Sequence, residues 1–118
     1  MSGILIVDDH DGFRQEARAL LEAEGLIIVG EAGNGHEAID AVRRLAPNIV
    51  LLDIGLPDID GFAVAERLAQ QGSGSQVILT SSRQAATYEA RLAASPAAGF
   101  IHKDDLSAAA VTALLQRG

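Results

Sequence analysis

Four short apolar runs punctuate the chain: Ile4-Leu5-Ile6-Val7, Leu26-Ile27-Ile28-Val29, Ile49-Val50-Leu51-Leu52 and Val77-Ile78-Leu79, with a weaker fifth at Phe100-Ile101. Each is four residues or fewer, rich in β-branched types, and free of the alternation of a half-exposed strand. Strands covered on both faces read this way. Between the runs the apolar positions take helical spacing. Phe13, Ala17, Leu20 and Leu21 share one helical face, as do Ala38, Ile39, Val42 and Leu45, and again Phe62, Ala65, Leu68 and Ala69. Ala86, Leu92 and Ala93 make a thinner version, and the stretch from Leu106 to Leu115 is apolar and alanine-rich. Strand and helix thus alternate five times, which predicts an α/β fold with a parallel sheet and right-handed crossovers.

The punctuation agrees. Gly33-Asn34-Gly35 supplies residues tolerant of positive φ ahead of the second helix, and Pro47 stops that helix. Gly72-Ser73-Gly74-Ser75 bridges to the fourth strand, and Pro96 to Gly99 turns into the fifth. The 118 residues fit one domain, read as spanning 1–118. The absence of cysteine excludes a disulfide framework, a thiolate zinc site and a cysteine nucleophile. A formal charge of −7 with no basic run argues against coating nucleic acid or anionic lipid, so neither direct nucleic-acid binding nor membrane association is expected. No apolar run approaches the roughly 18 residues of a membrane span, and Met1-Ser2-Gly3-Ile4 lacks the flank of a signal peptide. These features predict a small cytoplasmic protein. Among the nine basic residues eight are arginine, so Lys103 is the one lysine.

In open parallel sheets, ligands bind beyond the carboxyl ends of the strands, near the point where strand order reverses. Asp8 and Asp9 follow the first run, Asp53 the third, Thr80, Ser81 and Ser82 the fourth, and Lys103 the fifth. Any one of these aspartates is as readily a helix cap, a threonine ending a strand is usually structural, and a lone lysine is usually solvated. Their conjunction points to chemistry. If strands 1 and 3 are neighbours, three carboxylates meet on one rim, where two like charges ~4 Å apart repel by about 4 kcal/mol at an effective dielectric of 20. Such a cluster needs a compensating proton or cation. Its oxygens suit Mg2+, and Lys103 would add a second positive point. Carboxylate, divalent ion, hydroxyl and ammonium together can hold a phosphoryl group.

The segments Ile6-Val7-Asp8-Asp9-His10, Leu51-Leu52-Asp53-Ile54-Gly55-Leu56-Pro57-Asp58-Ile59-Asp60-Gly61, Thr80-Ser81 and Gly99-Phe100-Ile101-His102-Lys103, in that order, resemble the receiver domains of two-component response regulators. The resemblance runs from Ile4 to about Leu115. Asp8-Asp9-His10 and Val29 to Gly35 look most like receivers that precede a helix-turn-helix domain. The resemblance implies a single doubly wound, flavodoxin-like five-stranded parallel sheet of order 2-1-3-4-5 with five helices. It implies Asp53 as phosphoacceptor, Asp9 as a direct Mg2+ ligand, Asp8 as one mainly through water, and the Gly55 carbonyl completing the protein ligands. Lys103 would contact the phosphoryl oxygens, Thr80 would hydrogen-bond the phosphoryl group, and Phe100 would be the aromatic whose rotamer reports phosphorylation. Thr80 ranks above Ser81 because the family has a small residue after the switch hydroxyl. The implied partners are a sensor histidine kinase or phosphotransfer protein, an unidentified downstream effector, and a second copy in a phosphorylation-linked homodimer. The surface of helix 4, strand 5 and helix 5 would carry the output, and Tyr88 could belong to it.

The chain departs from the family pattern twice: Asp104 follows Lys103 where proline is common, so a trans peptide is expected there, and Leu56 replaces methionine. Asp58 and Asp60 read as turn and helix cap, and Asp11 as solvated. His10, His36 and His102 are not at metal-ligand spacing from one another and read as non-catalytic, with His10 bordering the acidic pair. Gly30, Gly33 and Gly35 have the wrong order for a dinucleotide fingerprint, and Ser81-Ser82 has no evident base for a hydrolase triad. The competing function is a Mg2+-dependent phosphohydrolase with an aspartate nucleophile. Against it, such enzymes show Asp-x-Asp after strand 1 and carry a cap. A self-modifying signalling domain, rather than a turnover enzyme, is therefore expected. An unphosphorylated interaction module would require a degraded acidic cluster, and here the cluster is intact.

Overall fold

The computed structural model describes residues 3–116. In chain order the elements are β1 (Ile4–Val7), α1 (Asp11–Ala23), β2 (Ile28–Ala32), α2 (Gly35–Leu45), β3 (Ile49–Asp53), α3 (Gly61–Gln70), β4 (Gln76–Ser81), a 3₁₀ turn (Ala85–Tyr88) leading into α4 (Glu89–Ala94), β5 (Gly99–His102), a second 3₁₀ turn (Lys103–Asp105) and α5 (Ala108–Gln116). The strands form one parallel sheet in the order β2-β1-β3-β4-β5, the flavodoxin-like arrangement expected. Strand order reverses between β1 and β3, so the rim shared by Val7 and Asp53 is the switch point where α/β sheets bind ligands.

Alternation along the strands divides the core into two layers. Ile4, Ile6, Ile49, Leu51, Ile78 and Ile101 pack under α1 and α5 with Ala17, Leu21 and Val111. Leu5, Val7, Val50, Leu52, Val77 and Leu79 pack under α2 and α3 with Val42, Val64 and Leu68, and Leu92 of α4 joins them.

Helix ends follow local chemistry. Asn34 caps α2, its side chain accepting from Glu37 N–H at 2.9 Å while the Glu37 carboxylate accepts from Gly33 N–H at 2.9 Å. That helix stops at Ala46, which takes a left-handed φ of 45° before Pro47. Asp60 caps α3 through Ala63 N–H at 2.9 Å. Ser107 accepts from Ala110 N–H at 3.0 Å, and Glu24, past the end of α1, accepts from Ala108 N–H at 2.7 Å, tying α1 to α5.

Three elements differ from the sequence expectation. The second strand lies at Ile28–Ala32, not Leu26–Val29. As an edge strand it leaves Val29 38% exposed, and the register slip between Ile4↔Ile28 and Leu5↔Gly30 makes Val29 the extra residue of a bulge. Leu26 instead closes α1, its N–H donating to Leu21 O at 3.0 Å, and Ile27 is 45% exposed. The thin fourth helix is split into a 3₁₀ turn and six α-helical residues. The fifth helix starts at Ala108, because Leu106 ends the preceding 3₁₀ turn. Among the described residues no peptide is cis, so Lys103–Asp104 is trans, and no helix is long and apolar enough to cross a membrane.

Candidate functional site

Strand parity assembles the site. Asp8 continues the Ile4-Ile6 series, Asp53 the Ile49-Leu51 series, Thr80 follows Ile78 and Lys103 follows Ile101. All four therefore leave their strand ends on the α1/α5 side of the sheet. Asp53 stands directly beside Thr80 in the β3–β4 ladder, and Ile54 N–H donates to Thr80 O at 3.0 Å.

Asp8 has no exposed surface, and Asp53 and Thr80 are buried. Lys103 Nζ lies 2.6 Å from Asp8 Oδ2 and 3.5 Å from Asp53 Oδ1, held over the Phe13 ring at 4.6 Å from its centroid. The Lys103–Asp8 Oδ2 contact is a close ion pair without an aligned hydrogen bond. Burial pushes the Asp53 carboxyl above its ordinary value, and the charges on Asp8 and Asp9 push the same way. Lys103 and the Gly55 main-chain N–H oppose them.

One oxygen each from Asp8, Asp9 and Asp53 and a ring nitrogen of His10 lie within 4.8 Å of one another. Gly55 lies against this group: a Cβ built there would meet only Asp53 Oδ2, at 3.9 Å. Three carboxylates on one rim, two of them buried and only one lysine ammonium beside them, are the oxygen donor set a hard divalent cation takes. The residues fit Mg2+.

The expected switch residues separate by face. Phe100 is paired with Leu79, not Thr80, and packs on the α2/α3 side of the sheet. Its ring is 6.5 Å from that of Tyr88, which is 5.8 Å from Phe62. Ser81 shares that side: its hydroxyl accepts from Arg83 N–H at 3.0 Å and lies 3.4 Å from Tyr88 Oη. Ser81 is thus committed to the β4–α4 segment, while Thr80 faces the acidic rim.

Arg14 was not legible from spacing. From α1 its guanidinium donates to the Asp8 main-chain carbonyl, to Asp11 and to Glu31 Oε1 (3.0 Å), and Arg18 meets the other oxygen of Glu31 at 2.9 Å. Asp58 and Asp60 play the structural parts expected of them. Asp58 accepts from Gly35 N–H at 2.7 Å and His36 N–H at 3.0 Å, pinning the β3–α3 loop to the start of α2. Burial alone would raise its pKa, but these main-chain donors, Ile59 N–H and the His36 ring hold it well below the usual carboxylate range. Asp60 also pairs with Arg91 at 2.9 Å, and Arg91 lies over the Phe62 ring.

A doubly wound parallel sheet whose switch-point rim gathers three aspartates, a hydroxyl and one lysine defines the class: a flavodoxin-like α/β domain with an acidic site at its switch point. Comparison with known proteins is specific. A family model for the response regulator receiver domain matches residues 4–115, and this chain belongs to that family, the receivers of two-component systems. It is 41% identical over 103 residues to a protein of Pseudomonas aeruginosa named as a transcriptional regulator, covering 87% of this chain and 50% of that one. It is 37% identical over 102 residues to BvgA of Bordetella pertussis, named as a positive transcription regulator of virulence factors, covering 86% and 49%. The chain thus spans about half the length of these relatives. Among solved structures, the signal receiver domain of NarL from Mycobacterium tuberculosis superposes with a TM-score of 0.87 at 29% identity, covering 98% of this chain and 94% of that one.

Proposed function

We propose that this chain, as one receiver domain over 1–118, accepts a phosphoryl group on Asp53 in a Mg2+-dependent reaction and thereby changes its α4-β5-α5 surface. The donor is a phosphohistidine on a sensor histidine kinase or phosphotransfer protein. The carrying observation is that the only lysine of the chain reaches both Asp8 and Asp53 beneath a buried acidic rim.

Asp8, Asp9, Asp53 and the Gly55 carbonyl would hold the cation, which when bound neutralises carboxylate and phosphoryl oxygens. Asp53 Oδ forms a bond to phosphorus as the bond from phosphorus to the donor imidazole nitrogen breaks. The imidazole keeps that electron pair and takes a proton. Lys103 sits where it can balance charge on the phosphoryl oxygens, and its charge opposes the upward push that burial gives the Asp53 carboxyl. The acyl phosphate is then open to water, which makes the signal self-limiting.

Thr80 hydrogen-bonds the phosphoryl group. Because Phe100 lies on the opposite side of the sheet, the displacement of Thr80 passes through its strand neighbour Ser81 to Tyr88, and from Tyr88 to Phe100. A downstream effector or a second copy of the chain reads the altered surface. The likeness to longer proteins named as transcription regulators supports a place in such a protein, in the cytoplasm, with DNA contact supplied by another segment.

Incubation with acetyl phosphate and Mg2+, followed by intact-mass measurement, tests the proposal. One phosphate adduct is expected, absent in Asp53→Asn and absent with chelator. An adduct that survives Asp53→Asn moves the acceptor elsewhere, and sustained phosphate release from phosphomonoesters would instead make the chain a phosphohydrolase.

A further inference from the structure

His102 ends β5 directly before Lys103, and its side chain is only 12% exposed. Its Nδ1 lies 3.1 Å from the main-chain nitrogen of Asp104, whose N–H it accepts at the start of the 3₁₀ turn Lys103–Asp105. Its Nε2 lies 2.9 Å from the main-chain carbonyl of Ser82, just past the end of β4. A main-chain N–H can only donate, so Nδ1 is the bare nitrogen and Nε2 carries the proton that Ser82 O accepts. The Asp104 carboxylate, exposed and 3.8 Å from Nδ1, is beyond hydrogen-bond reach. One neutral imidazole therefore ties the turn that carries Lys103 to the segment two residues past Thr80. A proline at 104 would stiffen this turn through its ring but has no N–H to give. Asp104 supplies that N–H on a trans peptide, and the His102 ring takes over the bracing.

We propose that His102 is a positioning residue for phosphoryl acceptance: its ring, protonated on Nε2, fixes the Lys103–Asp105 turn so that Lys103 Nζ is held at Asp8 and Asp53. The proposal deepens the function proposed above and rests on it. Lys103 opens the braced turn, and its Nζ is 2.6 Å from Asp8 Oδ2 and 3.5 Å from Asp53 Oδ1. A point charge on a flexible four-carbon stem stays in one place only if the backbone below it is held. The Nδ1 contact does the holding because it caps the turn, while the Ser82 contact sets the tautomer and the ring plane. The ring's hydrogen bonds go to Ser82 and Asp104, not to Asp8, Asp9 or Asp53, so it acts through Lys103.

Rates of phosphate uptake from acetyl phosphate with Mg2+, read by intact mass on the full chain, test this in wild type, His102→Phe, His102→Asn, Lys103→Gln and the double variant of His102→Phe with Lys103→Gln. His102→Phe keeps a ring without nitrogens and should slow acceptance about tenfold, within the hundredfold that a misplacement of about 1 Å can cost. Its Mg2+ uptake by calorimetry should stay at the wild-type level, which also shows that it folds. His102→Asn, whose side-chain oxygen can still accept the Asp104 N–H, should work at close to the wild-type rate. In the Lys103→Gln background His102→Phe should cost no further rate, to within about twofold. A loss through general destabilisation would appear in both backgrounds. Nitrogen NMR of the isotope-labelled wild-type ring gives a readout independent of rate: a protonated Nε2 beside a bare Nδ1 is expected, and the opposite tautomer overturns the proposal. If Asp53 is phosphorylated but His102→Phe is as fast as wild type, or is slowed by the same factor with and without Lys103, His102 is not a positioning residue and the phosphoacceptor reading stands. If wild type takes up no phosphate, both fail.

Discussion

Gly61 separates two accounts of the β3–α3 junction by the sign of one measurement. It is the first residue of α3, where exchange of glycine for alanine ordinarily stabilises a helix by up to about 1 kcal/mol. Here a Cβ would lie 2.5 Å from Asp53 O, 2.8 Å from Ile54 Cα and 3.0 Å from Asp53 C, all main-chain atoms. Carbon atoms pack at about 3.5 Å, so relief requires a shift of roughly 0.7 Å. The Gly61 N–H donates to Ile54 O at 2.9 Å, which clamps the two segments together and resists that shift. Overpacking of this kind costs about 1–3 kcal/mol, which outweighs the helix gain. We therefore expect Gly61→Ala to lose about 1–2 kcal/mol in urea unfolding, seen as a lower midpoint at unchanged slope. The same shift moves the backbone that carries Asp53, so the rate of phosphoryl acceptance should fall by up to about a hundredfold. A Gly61→Ala protein that is as stable as wild type, or more so, would refute the close-approach account and leave helix propensity in charge.

Other variants probe other parts of the fold and site. Ala46→Gly relieves the left-handed cap of α2 and should stabilise by about 0.5–1 kcal/mol in thermal or urea melts, since the relief exceeds the added freedom of the unfolded chain. Asp58→Ala removes the carboxylate that holds the start of α2 and should cost about 1–2 kcal/mol at pH 7. Because that carboxyl is depressed when folded, its contribution is complete above the ordinary aspartate pKa of about 4 and is lost as pH falls further. The stability gap between wild type and Asp58→Ala should therefore narrow between pH 5 and pH 3 in paired urea titrations, all pH values being approximate settings about that pKa; a constant gap would contradict the assigned role. Lys103→Gln should slow phosphoryl acceptance about a hundredfold, yet leave Mg2+ uptake at least as tight as in wild type by calorimetry, because it removes a positive charge beside Asp8 and Asp53.

Much of this could be read from the chain because strand parity is a short-range property. Ile-x-Ile-x-Asp in β1 and Ile-x-Leu-x-Asp in β3 place their carboxylates on one side of the sheet once the strands are neighbours, and Ile101-x-Lys103 adds the ammonium. The apolar run points two residues too early for the second strand because an edge strand need not be apolar throughout. The run Leu26 to Val29 spends Leu26 on closing α1, while the less apolar Glu31 and Ala32 complete the ladder. The fourth helix was faint because alanine gives little polar contrast, and in the structure it is short and 3₁₀ at its start. Arg14, the His10 ring and the Ser81–Tyr88–Phe100 contact depend on how turns aim side chains across elements, and no spacing rule carries that information. The division of Thr80 and Phe100 between opposite sides of the sheet follows from register, which becomes readable only when the β4–β5 pairing is known.

Borohydride reduction of the phosphorylated chain tests the acceptor most directly, because an acyl phosphate on aspartate is reduced to homoserine while a phosphate ester on Thr80, Ser81 or Ser82 is not. After treatment with acetyl phosphate and Mg2+, peptide mapping should find homoserine at position 53 alone. Homoserine at Asp8 or Asp9, or a phosphate that resists reduction and maps to the Thr80–Ser82 segment, would contradict Asp53 as the phosphoacceptor.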